Sequence, residues 1–263
     1  MKLGDVEVNR IGLGARFIQD AQHSAPLLQR ALELGVNLID TADVYGNSEN
    51  AIAEALHPYP QGLVIATKGG QTLVDGQPTA NGERRYLRDA CERSLKRLRV
   101  DTIDLYQLHM PDPDVPIEES VGALEELRHE GKVRQIGVSN VFGDGLEAAL
   151  RTAPVVSVQN RYSLMHRERD VEIEICEREG TAYMPWWPLA GGQLTGEGGA
   201  LKDVAEKHDA TPGQIALAWL LQRSTAMLPI PGTASPEHLE ENMMAARITL
   251  APDEVATLEA EAR

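Results

Sequence analysis

The sequence has few cysteines and no long apolar run. Cys91 and Cys176 are its only cysteines, and each stands in a segment with helical spacing. Two separated thiols of this kind are typical of reduced, buried side chains in a cytoplasmic protein. No segment approaches membrane-spanning length, and the first residues lack the apolar core of a signal peptide. We therefore expect a cytoplasmic protein without a membrane partner.

Positive charge is also scarce. The 263 residues carry 25 Lys and Arg against 40 Asp and Glu, which gives a formal net charge of -15. This balance argues against nucleic acid and against an anionic membrane surface as partners. An anionic cofactor would have to be bound by local groups that oppose the field of the whole protein.

Two site signatures are missing from the chain. Gly12-Leu13-Gly14 is only a fragment of the G-x-G-x-x-G fingerprint that follows the first strand of a dinucleotide-binding open sheet. A doubly wound open sheet is therefore the second choice of fold. Histidines and cysteines are not clustered in the sequence, so no metal site is predicted.

Apolar runs of strand length alternate with helical stripes along the whole chain. Residues 1–14 indicate a strand or hairpin, and further strands are predicted at 37–40, 63–67, 103–108, 133–138, 154–158, 181–184 and 227–230. Helices are predicted at 24–34, 52–56, 87–98, 116–130, 143–153, 167–178, 201–221, 236–246 and 252–262, with a glycine-bearing loop at 69–82 and a glycine-rich stretch at 191–199.

The spacing of these elements predicts an α/β fold of the (β/α)8 TIM barrel type. About eight strand–helix units of roughly 33 residues each are expected for a closed barrel. No linker or change of composition indicates a second domain. We expect one barrel domain over residues 1–263, with a short N-terminal hairpin and a C-terminal helix.

Polar residues follow the ends of neighbouring predicted strands. Asp40 ends the second strand and Tyr45 lies just beyond it, while Lys68 ends the third strand and His109 the fourth. Taken alone, Asp40 would be interpreted as a residue that caps a turn, and Tyr45 as a ring that packs over the next helix. In barrel enzymes, however, the chemistry takes place at the carboxyl ends of the strands. Four complementary ionisable residues on neighbouring strands therefore favour a catalytic site.

These four side chains suit the delivery of a proton to a carbonyl oxygen. A tyrosine hydroxyl alone is a poor acid at neutral pH. The ammonium of Lys68 would stabilise the phenolate of Tyr45, and the carboxylate of Asp40 would keep that ammonium charged. His109 can hydrogen-bond the substrate oxygen and orient it. Proton donation to a carbonyl oxygen implies a partner that delivers hydride to the carbon, hence a nicotinamide.

Seven motifs in family order give the chain a resemblance to the aldo-keto reductases, and to their short bacterial-type members in particular. The motifs are Asp40-Thr41-Ala42-x-x-Tyr45-Gly46-x-Ser48-Glu49, Thr67-Lys68, Asp104 to His109, Gly131 to Asn140, Gln159-Asn160, Pro188 to Gly192 and Ile230 to Ser235. The resemblance implies a (β/α)8 barrel that reversibly reduces aldehydes or ketones with NADPH. It implies that Tyr45 donates the proton, that Lys68 and Asp40 tune it, and that His109 orients the carbonyl.

The resemblance also implies a set of cofactor contacts. Ser139, Asn140 and Gln159 would hold the nicotinamide carboxamide, and Trp186 would stack on the ring where relatives have a tyrosine. Trp187 replaces the serine that meets the pyrophosphate in relatives, and Leu189 follows in the same motif. Glu241 and Asn242 match residues that contact the adenine.

The adenosine end departs from the family pattern. Gly232, Thr233 and His238 stand where many members carry Lys-Ser and an Arg for the 2′-phosphate. Ser235 and the N–H groups that begin the helix at Pro236 could still bind phosphate. Because fewer charge-assisted contacts remain, we expect NADPH as the cofactor with weak discrimination, so that NADH is also accepted.

The substrate and the assembly stay open at this level. The pocket is expected to be open, bounded by the loops near Arg16-Phe17, Met110 and 69–82. Arg16 could attract an anionic substrate or could be an exposed arginine without a ligand role. Two other functions remain as alternatives, namely a cofactor-sensing regulatory subunit on the same fold and a metal-dependent barrel hydrolase. We expect a small carbonyl substrate and a monomer or weak homo-oligomer.

Overall fold

The computed structural model describes residues 1–196 and 199–261. Its strands in chain order are β1 Lys2–Leu3, β2 Val6–Glu7, β3 Leu13–Gly14, β4 Leu38–Asp40, β5 Val64–Gly69, β6 Gln71–Val74, β7 Gln77–Ala80, β8 Ile103–Leu108, β9 Val133–Ser139, β10 Val155–Gln159 and β11 Ala182–Tyr183. Seven of these strands pair in parallel in the order β3-β4-β5-β8-β9-β10-β11. The predicted (β/α)8 barrel is confirmed.

The segment 227–232 occupies the eighth position and closes the barrel. The Leu228 N–H donates to the Tyr183 carbonyl at 2.8 Å on one side. On the other side the Gly14 N–H donates to the Pro231 carbonyl at 3.1 Å. Pro229 and Pro231 have no N–H to donate, which explains why the predicted strand 227–230 pairs without forming a regular ladder. A Cβ on Gly14 would lie 2.7 Å from the Ile230 carbonyl oxygen, so only glycine permits this closure.

Ten α-helices surround the barrel in the described part of the chain. They are α1 Ala21–Glu33, α2 Ser48–Leu56, α3 Arg84–Leu98, α4 Ile117–His129, α5 Gly143–Thr152, α6 Asp170–Glu179, α7 Gly199–Lys207, α8 Pro212–Arg223, α9 Pro236–Met244 and α10 Pro252–Glu261, with 3-10 turns at Ala190–Thr195 and Ala245–Arg247. None of these helices is long and apolar enough to cross a membrane. Cys91 and Cys176 are both buried and form no disulfide.

Two local predictions differ from the structure. The glycine-bearing loop 69–82 contains an antiparallel hairpin, β6–β7, in which Val74 pairs with Gln77 around Asp75-Gly76. Both turn residues have positive φ, as an Asp-Gly hairpin turn requires. The helical material predicted over 201–221 is present as two helices, because Thr211 caps α8 through a capping box with Gln214. Residues 197, 198 and 262 of the predicted segments lie outside the described residues.

The interior of the barrel is apolar at one end and polar at the other. Side chains of a strand alternate between its two faces, so Leu38 and Asp40 both point inward. The apolar end contains Leu38, Val64 and Leu105, and the N-terminal hairpin β1–β2 covers it with Leu3. A second, larger apolar layer lies between the strands and the helices. This arrangement leaves the carboxyl end of the barrel for polar side chains.

Candidate active site

A cleft of about 1240 Å³ opens at the carboxyl ends of the barrel strands. Its volume exceeds the roughly 300–1,000 Å³ typical of a single drug-sized ligand, so it can hold a large cofactor together with a small substrate. Among its lining residues are three of the predicted catalytic residues, Asp40, Tyr45 and His109, and eleven of the predicted cofactor residues, Ser139, Asn140, Gln159, Trp186, Trp187, Leu189, Gly232, Thr233, His238, Glu241 and Asn242. Lys68 lies beneath the cleft, fully buried, and Ser235 is not part of the lining.

Lys68 and Asp40 form a buried ion pair under the cleft. The Nζ of Lys68 donates to Oδ2 of Asp40 at 2.6 Å and to the Thr41 carbonyl at 2.7 Å. Burial alone would lower the pKa of Lys68, but the charges of Asp40 and Tyr45 outweigh it and raise that pKa above its ordinary value. Lys68 therefore remains an ammonium inside the barrel.

Two amides hold the second oxygen of Asp40. Oδ1 accepts from Nε2 of Gln107 at 3.0 Å and from Nε2 of Gln159 at 2.9 Å. The hydroxyl of Ser157 in turn donates to Oε1 of Gln107 at 3.1 Å. The carboxylate is thus satisfied on both oxygens, and its orientation toward Lys68 is fixed. The sequence analysis missed Gln107 and Ser157, although strand alternation places Gln107 on the same face as His109.

Two cations lie close to the ring of Tyr45. Nζ of Lys68 is 5.3 Å from the ring centroid, and Cζ of Arg16 is 5.7 Å from it. The ring is half-buried and meets the imidazole of His109 edge to face, with 5.7 Å between centroids. The structure therefore brings the predicted proton donor, its lysine and the predicted orienting histidine into one constellation.

His109 is a neutral imidazole in this setting. Burial, followed by the positive charges of Lys68 and Arg16, lowers its pKa from 6.5 to about 3. Its Nδ1 is buried without a hydrogen-bond partner among the described residues. A neutral imidazole has one N–H donor and one acceptor. His109 can therefore donate a hydrogen bond to a substrate oxygen, but it is not a source of protons at neutral pH.

The Tyr45 loop is tied to the loop that follows β3. Gln19 donates from Nε2 to the carbonyls of Arg16 at 2.8 Å and Tyr45 at 2.9 Å, and its Oε1 accepts from the Asn47 N–H at 3.0 Å. The hydroxyl of Ser48 also donates to the Ala15 carbonyl at 2.9 Å. These bonds fix Arg16 relative to Tyr45. Gln19 lies outside the recognised motifs, so the sequence offered no signal for this role.

A second, half-buried acid, Asp43, lies behind the site. Burial, and then the charge of Glu49, raises the pKa of Asp43 to about 7. Oδ1 of Asp43 has no hydrogen-bond partner in the described chain, whereas Glu49 is held by Thr67 at 2.6 Å and by Nε of Arg97 at 2.5 Å. Glu49 and Thr67, which belong to the motifs named above, thus form hydrogen bonds behind the strand ends.

The polar residues at the ends of β9 and β10 bond to one another. The Ser139 hydroxyl donates to the Gln159 carbonyl at 2.7 Å, and the Asn140 amide donates to the His109 carbonyl at 2.9 Å. The indole Nε1 of Trp186 donates to Oδ1 of Asn140 at 3.1 Å. These contacts fix a half-buried indole at the wall of the cleft. The predicted roles of these residues toward a nicotinamide stay predictions.

Trp187 carries backbone strain beside the cleft. Its φ is +63°, a conformation that is costly for a bulky residue. Its exposed indole lies under the guanidinium of Arg161, whose Cζ is 4.4 Å from the indole ring centroid. Arg161 also contacts the ring nitrogen of His166. A stack of a cation on an aromatic ring therefore lies at the position where the resemblance implies a serine in relatives, and Arg161 was not predicted from the sequence.

At the far end of the cleft, the start of α9 is capped by its own residues. The Ser235 hydroxyl accepts from the His238 N–H at 3.2 Å and donates to the carboxylate of Glu237 at 2.6 Å. Pro236 has no N–H to offer a ligand. The hydroxyl predicted to bind a phosphate is thus engaged, and a carboxylate stands beside it. The residues Thr211, Pro212 and Gly213 at the start of α8 also line the cleft, which the sequence analysis missed.

No metal site accompanies these groups in residues 1–196 and 199–261. No three side chains of His, Cys, Asp or Glu come close enough there to hold an ion together. The titratable residues at the strand ends are arranged as an ion pair with a phenol and an imidazole.

Comparisons with known proteins extend over nearly the whole chain. The profile of the Aldo/keto reductase family matches residues 10–262. An uncharacterised oxidoreductase of Schizosaccharomyces pombe is 43% identical over 277 residues, an alignment that covers 100% of this chain and 90% of the yeast protein.

Two further relatives carry more specific names. The pyridoxine 4-dehydrogenase of Escherichia coli is 39% identical over 275 residues and is covered over 96% of its length, with 98% of this chain aligned. An aldo-keto reductase from Klebsiella pneumoniae, solved in complex with NADPH, superposes with a TM-score of 0.85 at 30% identity. That superposition covers 97% of this chain and 91% of the Klebsiella chain.

Proposed function

The chain belongs to the aldo/keto reductase family of oxidoreductases, and we propose that it reduces the carbonyl group of small aldehydes or ketones with a nicotinamide nucleotide, reversibly. One observation carries this proposal. A buried Lys68–Asp40 pair lies directly below Tyr45 and His109, at the floor of a cleft large enough for cofactor and substrate. This arrangement supports proton transfer to an oxygen rather than attack by a nucleophile.

The residues have separable tasks in the proposed reaction. The Tyr45 hydroxyl donates the proton to the carbonyl oxygen as negative charge develops there. The ammonium of Lys68 stabilises the phenolate that remains, and Asp40 keeps that ammonium charged. The neutral imidazole of His109 donates a hydrogen bond to the substrate oxygen and orients it. When bound, the nicotinamide nucleotide supplies the hydride for the carbonyl carbon.

The residues of the cleft fit a nicotinamide nucleotide. Trp186 offers an indole face fixed by Asn140, and Gln159 keeps Oε1 free of hydrogen bonds among the described residues while Nε2 binds Asp40. Thr233, His238, Glu241 and Asn242 line the opposite end, where an adenosine would lie.

We propose NADPH as the cofactor and NADH as an accepted second one. The family match and the NADPH bound to the Klebsiella enzyme support the first choice. The engaged hydroxyl of Ser235 and the neighbouring carboxylate of Glu237 support the second, because they weaken binding of the 2′-phosphate.

The substrate class follows from the reaction type and one relative. The name of the Escherichia coli relative supports testing pyridoxal and other aromatic aldehydes first. Both apolar layers, inside the barrel and between its strands and helices, belong to the same barrel, and we infer one domain over residues 1–263. The decisive assay follows NADPH and NADH oxidation by absorbance against aromatic aldehydes, aliphatic aldehydes, ketones and sugars. Turnover of any aldehyde or ketone supports the proposal, whereas absence of turnover with every class and both cofactors contradicts it.

A further inference from the structure

Arg16 is an arginine at the cleft whose guanidinium has no acidic partner within residues 1–196 and 199–261. Other arginines of this acidic chain do pair with carboxylates. Arg88 lies 2.7 Å from Glu130, and Arg134 lies 2.8 Å from Asp5. Arg16 lies in the cleft lining beside Tyr45, with its Cζ 5.7 Å from the centroid of that tyrosine ring. Its charge is therefore available to a ligand.

The position of Arg16 is set by the fold. Ala15 is buried, and its N–H donates to the Asp40 carbonyl at 2.8 Å, which anchors the start of the loop to β4. Gln19 then joins the carbonyls of Arg16 and Tyr45, as described above. Because both bonds are to backbone groups, they hold the loop while leaving the arginine side chain free. The guanidinium is thus kept near the reacting oxygen without being consumed by the protein.

The surroundings of Arg16 are apolar and open. Phe17 is 60% exposed and Leu73, on the β6–β7 hairpin, is 54% exposed, and both line the cleft together with Val44 and Pro78. Exposed large apolar side chains grouped at a cleft mark a binding surface. A single cation within such a rim suits a ligand that has an apolar or aromatic body and one anionic group.

Among the described residues, the carboxylate that lines the substrate half of the cleft is that of Asp40. The carboxylate of Asp40 is neutralised by Lys68 and held by two amides. His109 is neutral and the charges of Lys68 and Asp40 cancel, so the guanidinium of Arg16 leaves this end of the cleft positive. An uncompensated positive charge in a cleft attracts and orients an anion even when the whole protein is acidic.

We propose that Arg16 binds an anionic group of the carbonyl substrate, a carboxylate or a phosphate monoester, while the aldehyde or ketone lies at Tyr45 and His109. The planar guanidinium can donate two parallel N–H groups to either anion. This inference rests on the proposed carbonyl reduction and narrows its substrate class. Arg16 is then the residue that determines specificity for charged over neutral carbonyls.

A second arginine in the cleft, Arg161, is the alternative site for the substrate anion. Arg161 also lines the cleft, but its guanidinium is stacked on Trp187 and contacts His166. It lies beside the indoles that the cofactor half presents, not beside Tyr45. The inference therefore assigns the substrate anion to Arg16 and not to Arg161.

The test compares pairs of related carbonyls in which one member carries an anionic group and the other does not. The pairs are para-carboxybenzaldehyde with benzaldehyde, for a carboxylate, and pyridoxal phosphate with pyridoxal, for a phosphate. The variants are Arg16→Gln, Arg16→Lys and Arg161→Gln, with Arg85→Gln as a matched control. Arg85 is exposed on α3, away from the cleft, and its loss changes the net charge equally.

The expected result is a selective loss in kcat/KM. Loss of a charge-assisted hydrogen bond of typical strength lowers affinity by roughly tenfold to hundredfold. In at least one pair, Arg16→Gln should therefore reduce kcat/KM for the charged carbonyl by that factor more than it reduces kcat/KM for the neutral one. The loss should lie mainly in KM. Arg16→Lys should recover part of it, and Arg85→Gln should not alter the ratio. The pair that responds identifies the anion.

Two outcomes overturn the inference. If Arg16→Gln lowered kcat/KM equally for charged and neutral carbonyls, with an unchanged melting temperature, Arg16 would only position its loop and would not bind the substrate anion. A selective loss in Arg161→Gln instead would place the anion at the other arginine. Calorimetric binding of para-(hydroxymethyl)benzoate against benzyl alcohol separates this inference from the proposed reaction. Weaker binding of the benzoate alone in Arg16→Gln supports the anion site even without turnover, and equal binding contradicts it.

Discussion

Nζ of Lys68 lies 2.6 Å from Oδ2 of Asp40, and both side chains are removed from solvent. A buried ion pair of this kind pays a large desolvation cost and is a poor source of net stability. The presence of the pair beneath Tyr45 is better explained by its effect on the phenol, because Asp40 keeps the ammonium of Lys68 charged next to the hydroxyl-bearing ring. The same geometry makes the pair sensitive to loss of either partner.

Asp40→Asn should therefore lose both stability and activity. The variant leaves a buried ammonium without its counter-charge, and breaking a buried ion pair costs roughly 3–5 kcal/mol. Chemical denaturation measures this change. Asp104→Asn is the control, because its half-buried carboxylate accepts only the Ile65 N–H. The double variant Asp40→Leu with Lys68→Met should recover stability but not turnover. Full activity in that double variant would contradict the role given to the pair.

Tyr45→Phe should abolish turnover while cofactor binding survives. Loss of a positioned general acid lowers kcat by roughly a hundredfold to ten-thousandfold, and the phenylalanine ring keeps the packing against His109. Single-turnover reduction and fluorescence titration with NADPH measure the two effects separately. Tyr86→Phe, on α3 and outside the cleft lining, is the matched control. Near-normal rates in Tyr45→Phe would show that another group supplies the proton.

His109 should not titrate between pH 5 and 8. Its pKa is lowered from 6.5 to about 3, so the folded protein binds fewer protons than the unfolded chain between those values. The unfavourable contribution of His109 to stability therefore diminishes as the pH rises from about 3 to 6.5. NMR of the ring carbon shifts, with the exposed His23 as an internal control, measures the titration. A His109 midpoint near 6.5 would contradict the neutral imidazole.

Asp43→Asn should stabilise the protein most above pH 7. The pKa of Asp43 is raised from 3.8 to about 7, so the folded state binds more protons than the unfolded chain in that window. Stability contributed by the protonated acid is present below 3.8 and is lost as the pH rises through 7. An amide cannot ionise, so the melting temperature of the variant should exceed that of the wild type by several degrees at pH 8 and by less at pH 5. Asp89→Asn, an exposed residue of α3, is the control. An equal change at both pH values would contradict the raised pKa.

Discrimination between NADPH and NADH should be weak and should respond to Glu237. Glu237→Gln removes the carboxylate beside Ser235, and His238→Arg adds a permanent cation at the lining, so both should raise the preference for NADPH. Calorimetric Kd values for both nucleotides measure it. Glu240→Gln, on the same helix and paired with Arg30, is the control. A wild-type preference for NADPH above about a thousandfold, or about 4 kcal/mol, would contradict the expected weak discrimination.

The barrel was predictable because its signals are local and repeated. Apolar runs, helical stripes and their spacing place Asp40, Lys68 and His109 at strand ends, and a parallel barrel brings all such ends to one face. The Asp75-Gly76 hairpin was missed because glycine content was read as a loop, although an Asp-Gly pair is a strong hairpin signal.

The hydrogen bonds that hold the site residues in place were harder to predict, because they join distant parts of the chain or depend on side-chain conformation. Gln107 and Gln159 meet at one oxygen of Asp40 only once the barrel has closed. The Ser235 hydroxyl was assigned to a phosphate from its motif, but its bond to Glu237 depends on side-chain conformation. Nothing in local spacing shows that Arg16 lacks a carboxylate partner.

The barrel closes where β3 meets the segment 227–232, and both Gly14 and Gly232 line the cleft there. This seam joins an early part of the chain to a late one, so the loop-closure entropy makes it slow to form. A ligand that lies across the two glycines binds only the closed barrel, and its binding free energy adds to the closure. For a nucleotide that binds across Gly14 and Gly232, amide protection at the seam should rise with cofactor occupancy, because that ligand would link an early and a late segment of the chain.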